Sequence, residues 1–245
     1  MRTKTLLLTA ALAMGGVASS MAQVYSQNVV GYVNLTISNT FTMIANPLNG
    51  PGGSNTLGTI LPNAPAGAGI YKFNGTTFEN KVTFGTPATG WIGGVAGAGN
   101  GTVLAPGQGA FIQISGATPA APSTITFVGE VRDGSTSITI PAGFSIASSV
   151  LPVAAPLGKA ADAEPAPGAA VTSLRFPGVA GDRVIFWDKA GQTYKTALTF
   201  VSDATGWIGS GAPAGGVGPT PAVGESFFVQ AGAARTWTRT YKVNP

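Results

Sequence analysis

The chain has 245 residues, with 13 basic and 9 acidic side chains, 36 Gly, 18 Pro, no Cys and no His. Without Cys or His, nucleophilic systems of the Ser-His-Asp or Cys-His kind and zinc sites built from His and Cys are excluded. The formal net charge of +4 comes from scattered residues, and no run of Lys or Arg could follow a phosphate backbone, which argues against nucleic acid as a partner.

The first 22 residues have the pattern of a secretory signal peptide. Arg2 and Lys4 precede an apolar run over residues 6–17, and residues 20–22 (Ser-Met-Ala) form a small-x-small cleavage site. An apolar run of about a dozen residues is too short for a membrane-spanning helix, and no later stretch is longer. The sequence therefore predicts a secreted protein without a membrane span, located in the periplasm, on the outer surface or outside the cell.

The following residues show the pattern of short strands separated by Gly- and Pro-rich turns. An Asn-Gly pair at residues 74–75 lies between alternating β-formers and predicts a hairpin. One helical turn is expected where Ser54 precedes Leu57 and Ile60. Strands are predicted over residues 24–37, 41–45, 70–73, 76–78, 110–114 and 124–131.

The same order of elements returns in the second part of the chain. The segment Ala-Thr-Gly-Trp-Ile-Gly at residues 88–93 recurs unchanged at 204–209, and residues 106–113 match residues 223–230. Strands matching those of the first part are expected over residues 137–140, 144–146, 184–187, 192–200 and 236–243. Such self-similarity indicates a tandem duplication.

These patterns predict an all-β fold with hardly any helix. After a cleaved signal peptide (1–22), we expect two tandem duplicated β-sandwich or partly open β-barrel modules. The first module is predicted over residues 23–131 and the second over 132–245.

Four segments of the first copy carry a resemblance to known proteins. They are Val29–Asn34 (VVGYVN), Phe41–Leu48 (FTMIANPL), Gly90-Trp91 and Leu104–Phe111 (LAPGQGAF). With them the chain resembles a family of secreted verrucomicrobial-type proteins built of tandem β-modules. The resemblance implies an exported, strand-built architecture, and it carries no activity with it.

The two ends of the mature chain are predicted to present sheet edges. A strand near residues 128–131 can complete the first copy and begin the second, whereas the first and last strands have no such neighbour. An unpaired edge is a template for pairing with another chain. The candidate assembly-edge residues are Val30, Tyr32, Val33, Thr240, Tyr241 and Val243.

Aromatic residues are the candidates for ligand contact, because a flat ring can stack on the C–H face of a sugar. The candidate platforms are Trp91, Trp207, Tyr71 and Trp187. For Trp91 and Trp207 the alternative is a core position, since the flanking Gly residues suit tight backbone turns around a buried indole as well as an exposed platform.

Catalysis would have to rely on carboxylates, and the duplication conserves no pair of them. Asp203 aligns with Pro87, and Glu225 aligns with Gln108. We therefore expect no enzyme activity, no cofactor and no metal site. The first hypothesis is a structural protein of the surface or extracellular matrix that self-assembles through its end strands. The alternative is a tandem carbohydrate-binding protein, with a cell-surface polysaccharide as partner.

Overall fold

A computed structural model describes residues 29–115, 122–166 and 168–242. The predicted signal peptide (1–22) lies outside these residues. In the described part, sixteen strands and one short α-helix confirm the all-β class. No helix in these ranges has the length and apolar character needed to cross a membrane.

Seven strands form in the N-terminal half of the described chain, where β-branched and aromatic residues alternate with polar ones. They are β1 (Val30–Ile37), β2 (Thr42–Ala45), β3 (Ala68–Lys72), β4 (Val82–Phe84), β5 (Trp91–Gly93), β6 (Gly109–Ile114) and β7 (Ser123–Glu130). The expected helical turn is α1 (Leu57–Ile60), although its N-cap residue is Thr56 and not Ser54. Short 3₁₀ turns lie at Pro51–Gly53, Val95–Gly97 and Gly99–Gly101.

Nine strands form in the C-terminal half. They are β8 (Gly134–Ile140), β9 (Gly143–Ala147), β10 (Arg183–Ile185), β11 (Trp187–Asp188), β12 (Thr193–Tyr194), β13 (Leu198–Ser202), β14 (Gly206–Ile208), β15 (Phe227–Ala231) and β16 (Arg235–Tyr241). A 3₁₀ turn lies at Ala214–Gly216. The β11–β12 hairpin occupies the place that the Asn74-Gly75 hairpin has in the N-terminal half, where a single bridge joins Phe73 and Phe78.

Both halves have the same sheet topology. The five-stranded sheets have the orders β2-β6-β3-β4-β5 and β9-β15-β10-β13-β14, and every pairing is antiparallel. In each half the first strand also pairs with the last, β1 with β7 and β8 with β16. The expectation of one middle strand shared by both copies is therefore wrong. The predicted boundary at 131/132 falls in the short connection between β7 and β8, and the division into two domains stays a prediction.

Each two-stranded ribbon packs over the five-stranded sheet of its own half. In the N-terminal half, Ile37 of β1 and Phe127 of β7 share one buried cluster with Ile70 and Ile112 of the sheet. In the C-terminal half, Trp237 of β16 packs in the corresponding cluster. The arrangement is sandwich-like, because the inward residues of two facing sheets form the core.

Two tryptophans occupy matching places in the two interiors. Trp91 on β5 is 2% exposed and Trp207 on β14 is 1% exposed. Each ring meets a phenylalanine edge-to-face, Phe84 and Phe200 respectively, at a centroid distance of 5.3 Å and an interplanar angle of 72° in both cases. The repeated hexapeptide thus places an indole in each core.

The indole N–H groups find backbone partners in these interiors. Trp91 Nε1 donates to Leu61 O at 2.8 Å, and Trp207 Nε1 donates to Gly158 O at 2.9 Å. The glycine before Trp207 is required, because a Cβ on Gly206 would lie 2.0 Å from a neighbouring carbonyl oxygen. The indoles are therefore fixed by packing, by a hydrogen bond and by the backbone that approaches them.

The two interiors differ at the position of Phe127. Arg239 of β16 is fully buried where the N-terminal half has Phe127. Its Nη1 donates to Glu164 Oε2 at 3.0 Å and its Nη2 to Ser173 O at 3.2 Å. Burial lowers the pKa of Arg239, and the charge of Glu164 opposes that shift. This pair ties the Ala- and Pro-rich segment around Glu164 to the second core.

We expect Trp91→Ala and Trp207→Ala each to lower the free energy of unfolding by about 3–5 kcal/mol, because each removes a buried indole and leaves a cavity. The matched controls are Ile92→Ala and Ile208→Ala, the exposed next residues, which should change it by less than about 1 kcal/mol. Chemical denaturation followed by circular dichroism measures these values. A Trp variant as stable as its control would contradict the core assignment.

Candidate functional site

A third buried cluster joins the two halves. Met43 and Phe111 of the N-terminal sheet pack against Ile146 and Phe228 of the C-terminal sheet. The contact involves β2 and β6 on one side and β9 and β15 on the other. Further aromatic rings surround this cluster, so the candidate site lies where the halves meet.

The backbone contacts across this junction are reciprocal. Ala45 N donates to Gly224 O at 2.7 Å, and Ser148 N donates to Gly107 O at 2.8 Å. Ser148 follows Ala45 by 103 residues, and Gly224 follows Gly107 by 117 residues. The same spacings separate the matching segments of the two halves in which these residues lie. The two bonds are thus counterparts under an approximate two-fold relation, like the contacts of an isologous dimer.

The ring contacts follow the same relation. In each half a hairpin carries two aromatic residues. One of them contacts the central phenylalanine of the opposite sheet, and the other lies closer to that of its own sheet. The matched centroid distances are Trp187–Phe111 at 5.1 Å with Phe73–Phe228 at 5.3 Å, and Phe78–Phe111 at 5.6 Å with Tyr194–Phe228 at 5.6 Å. Edge-to-face pairs of this kind contribute beyond the area that they bury.

The symmetry is broken at Phe41. Its carbonyl oxygen accepts from Trp187 Nε1 at 2.9 Å and from Gln192 Nε2 at 3.0 Å, and its N–H donates to Gln192 Oε1 at 2.8 Å. The Phe41 ring then packs edge-to-face on Tyr71 at 5.5 Å and on Phe111 at 5.9 Å. The C-terminal hairpin therefore holds Phe41 in a defined place.

Beside Phe41 a cleft with a volume of about 270 Å³ opens between the halves. All of its lining side chains are aromatic; they are Phe41, Tyr71, Phe78, Phe111, Trp187 and Tyr194. We call this space the aromatic cleft. Its polar side-chain groups are two phenol hydroxyls and one indole N–H, and the indole N–H is already bonded to Phe41 O.

The predicted ligand platforms separate into two groups. Tyr71 and Trp187 are brought together in the aromatic cleft. The prediction of exposed platforms at Trp91 and Trp207 is wrong, because both indoles are buried in the cores, as the alternative interpretation stated.

Four further cleft residues were not predicted as site residues. They are Phe41, Phe78, Phe111 and Tyr194. The signal in the sequence was the pair of aromatic hairpins and the phenylalanine that recurs in the matching segments 106–113 and 223–230. No local pattern indicated that these rings converge from two halves of the chain.

The predicted assembly edges are paired more fully than expected. β1, with Val30, Tyr32 and Val33, pairs with β7 along its whole length, and β16, with Thr240 and Tyr241, does the same with β8. Each end strand thus has one paired edge, and within the described ranges no strand pairs with its other edge. Val243 lies outside the described residues.

Comparison with known proteins finds no matching family model, no matching curated protein and no matching solved structure. Over the described ranges, no group of three or more carboxylates is placed to hold a metal ion. The site is therefore interpreted from its own geometry.

Burial in the aromatic cleft raises the pKa of Tyr194 above its ordinary value of about 10. Because the folded state holds the phenol proton more tightly than the unfolded state, this stabilising contribution is complete below pH about 10 and is lost as the pH rises through the folded-state pKa. We expect the free energy of unfolding to fall more between pH 9 and pH 11 in the wild type than in Tyr194→Phe. Denaturant titrations at both pH values measure this decrease in each protein. An equal decrease in the wild type and in Tyr194→Phe would contradict the burial of the Tyr194 phenol.

Proposed function

We propose that the protein is a non-catalytic secreted binding protein that holds an apolar ring of its ligand in the aromatic cleft. The proposal is based on the lining of this cleft, in which six aromatic side chains from both halves surround one space of about 270 Å³. Ligand sites are typically concave, mostly apolar and located at interfaces between units of a fold. The size and chemistry of the cleft suit a single ring.

An apolar ring fits the cleft better than a sugar ring does. A buried hydroxyl without a partner costs about 1–3 kcal/mol, and a pyranose carries several hydroxyls. In the cleft only the hydroxyls of Tyr71 and Tyr194 could pair with them, because the N–H of Trp187 is occupied. The composition of the lining therefore favours an aromatic or aliphatic ring.

A binding role without catalysis is consistent with the lining residues. The chain has no His and no Cys, and no carboxylate lines the cleft. General acid–base and nucleophilic catalysis rely mainly on such groups. What the cleft offers a ligand is desolvation and ring–ring contact.

Benzene is a suitable probe of the cleft, and methyl β-glucoside serves as the polar ring for comparison. We expect saturable benzene-induced shifts of the cleft resonances in NMR spectra and much weaker binding of the glucoside. Tyr194→Ala should weaken benzene binding about three- to tenfold, because one ring contact is lost. Tyr194→Phe keeps the ring and should bind benzene like the wild type. Tighter binding of the glucoside, or the absence of benzene shifts, would contradict the proposal.

A second candidate function is a structural protein that assembles through β1. On the outward face of this strand Val30 is 56% exposed and Tyr32 is 67% exposed. The strand edge beside them has no strand partner within the described ranges. An exposed edge of this kind favours pairing with a second copy of the chain.

Sedimentation velocity over a range of protein concentrations tests the assembly. We expect concentration-dependent oligomers of the mature wild-type protein, and we expect the double variant Val30→Lys/Tyr32→Lys to stay monomeric because edge charges oppose strand pairing. Val179→Lys changes an exposed loop residue far from β1 in sequence and should assemble normally. A wild type that stays monomeric at every concentration would rule out this candidate.

A further inference from the structure

A groove with a volume of about 510 Å³ lies between β1 and the C-terminal half. On the side of the N-terminal half it is lined by Val29 and by β1 as far as Asn34. Pro152, Val223 and Tyr241 line it on the side of the C-terminal half. Residues from both faces of β1 take part and no residue of β7 does, so the groove follows the edge of β1 that faces away from β7. We call it the β1 groove.

Alternate residues of β1 turn their backbone groups toward this edge. Val29 O accepts from Val131 N at 2.8 Å on the β7 side of the strand. Thr36 O points to the other side, because it accepts from Lys189 Nζ of the C-terminal half at 2.8 Å. The N–H and C=O groups of successive residues in an antiparallel strand point to alternate sides. The residues whose groups face away from β7 are therefore Val30, Tyr32 and Asn34.

These three residues form an open stretch of strand edge. Within the described ranges their outward N–H and C=O groups have no hydrogen-bond partner. The stretch ends at Thr36, where Lys189 occupies the next outward carbonyl. An extended segment of five residues could pair with all three positions, because a peptide that adds to a sheet edge bonds at every second residue.

The residues directly before Val29 have the length and character of such a segment. Residues 24–28 (Val-Tyr-Ser-Gln-Asn) lie outside the described residues, and the sequence predicts a strand that begins at residue 24 and continues into β1. Neither these five residues nor the lining of the β1 groove carries a charged side chain. Pairing would therefore remove no charge from water.

The segment suits the groove of a second copy better than its own. To pair with its own β1 it would have to reverse direction just before Val29. Tight hairpin turns favour Gly, which residues 23–28 do not contain. A strand that continues straight out of β1 instead projects beyond its own half, where the edge of another molecule can receive it.

We propose that two copies of the chain exchange these segments. Residues 24–28 of each copy add as an antiparallel strand to Val30–Asn34 of the other copy, inside the β1 groove. Five residues pair with five, so the two-fold axis passes between the Val29 residues of the two copies. Such an isologous contact closes at a dimer. The proposal rests on the second candidate function, assembly through β1, and names the segment that makes the contact.

The register also gives a favourable side-chain pair. It places Tyr25 of one copy opposite Val33 of the other, and Val33 lines the groove and packs against the N-terminal core. Aromatic and β-branched residues opposite each other stabilise an antiparallel pair. Each copy supplies one segment and one groove, so both open edges are filled in a single contact.

Removal of residues 23–28 from the mature protein tests the exchange. We expect the dissociation constant of the dimer, measured by sedimentation velocity, to rise at least about a hundredfold, because the backbone hydrogen bonds at both grooves are lost. Hydrogen exchange checks the fold of this variant. The amides of Gly31 and Val33, which face β7, should stay protected, whereas those of Tyr32 and Asn34 should be protected in the wild type alone.

Two proline variants test the strand pairing itself. Ser26→Pro removes an N–H that bonds to the other copy and should raise the dissociation constant at least about tenfold. Gln27→Pro is the matched control, because the N–H at this position points away from the partner strand, and it should have a much smaller effect. Equal effects of the two prolines would overturn the proposed pairing.

A single cysteine tests the position of the two-fold axis in a chain that has no Cys of its own. Residues opposite each other without hydrogen bonds have Cα atoms about 4.5 Å apart, within the range of about 4.4–6.8 Å that a disulfide requires. Val29→Cys should therefore form a covalent dimer on oxidation, and the exposed control Val179→Cys should not. A dimeric Val29→Cys protein that does not cross-link would overturn the proposed register.

The outcomes separate this proposal from the function on which it rests. A wild type that stays monomeric at every concentration would overturn both. If Val30→Lys/Tyr32→Lys is monomeric but the protein without residues 23–28 assembles like the wild type, assembly through β1 stands and the exchange is wrong. Benzene binding in the aromatic cleft is independent of both results.

Discussion

The reciprocal contact between the two halves is the constraint on which the aromatic cleft depends. Phe111 and Phe228 meet at the centre of the junction with a centroid distance of 6.4 Å, and the paired backbone bonds at Ala45 and Ser148 fix the two sheets on either side. Packing of this kind is specific in position, because close-packed aromatic rings tolerate little displacement. The aromatic cleft lies along this contact, with lining side chains from both halves.

The departure from symmetry creates two cavities of different chemistry. Around Phe41, the longer hairpin brings Trp187 and Gln192 into hydrogen-bonding distance and leaves an apolar space lined by rings. Around Phe144 of β9, the shorter hairpin between Phe73 and Phe78 borders a groove that is lined largely by polar and small residues. The difference in hairpin length between the halves thus separates an apolar cavity from a polar one, although the strands beneath them are equivalent.

The interiors of the halves show which parts of the repeated segments are structural. Trp91 and Trp207 are conserved between the copies because each indole completes a core and donates a buried hydrogen bond, which would cost free energy if left unmade. The position of Phe127 is occupied in the second half by Arg239, whose buried charge is paired with Glu164. The unchanged repeat at residues 88–93 and 204–209 therefore contains core residues and no residue that lines the aromatic cleft.

The sequence by itself determined the all-β class, several strands that recur in the two halves and the turn at Asn74-Gly75, because alternation of β-formers and turn residues act locally. It did not predict β4 (Val82–Phe84) as a strand. The sequence also identified Tyr71 and Trp187 as candidate ligand-binding residues, but it could not show that their side chains line the same cleft. That was decided by tertiary structure, since the cleft arises from a contact between residues far apart in the sequence, such as Phe111 and Trp187, which are 76 positions apart. The burial of Trp91 and Trp207, and the pairing of β1 with β7, were likewise fixed by long-range packing, which no local pattern encodes.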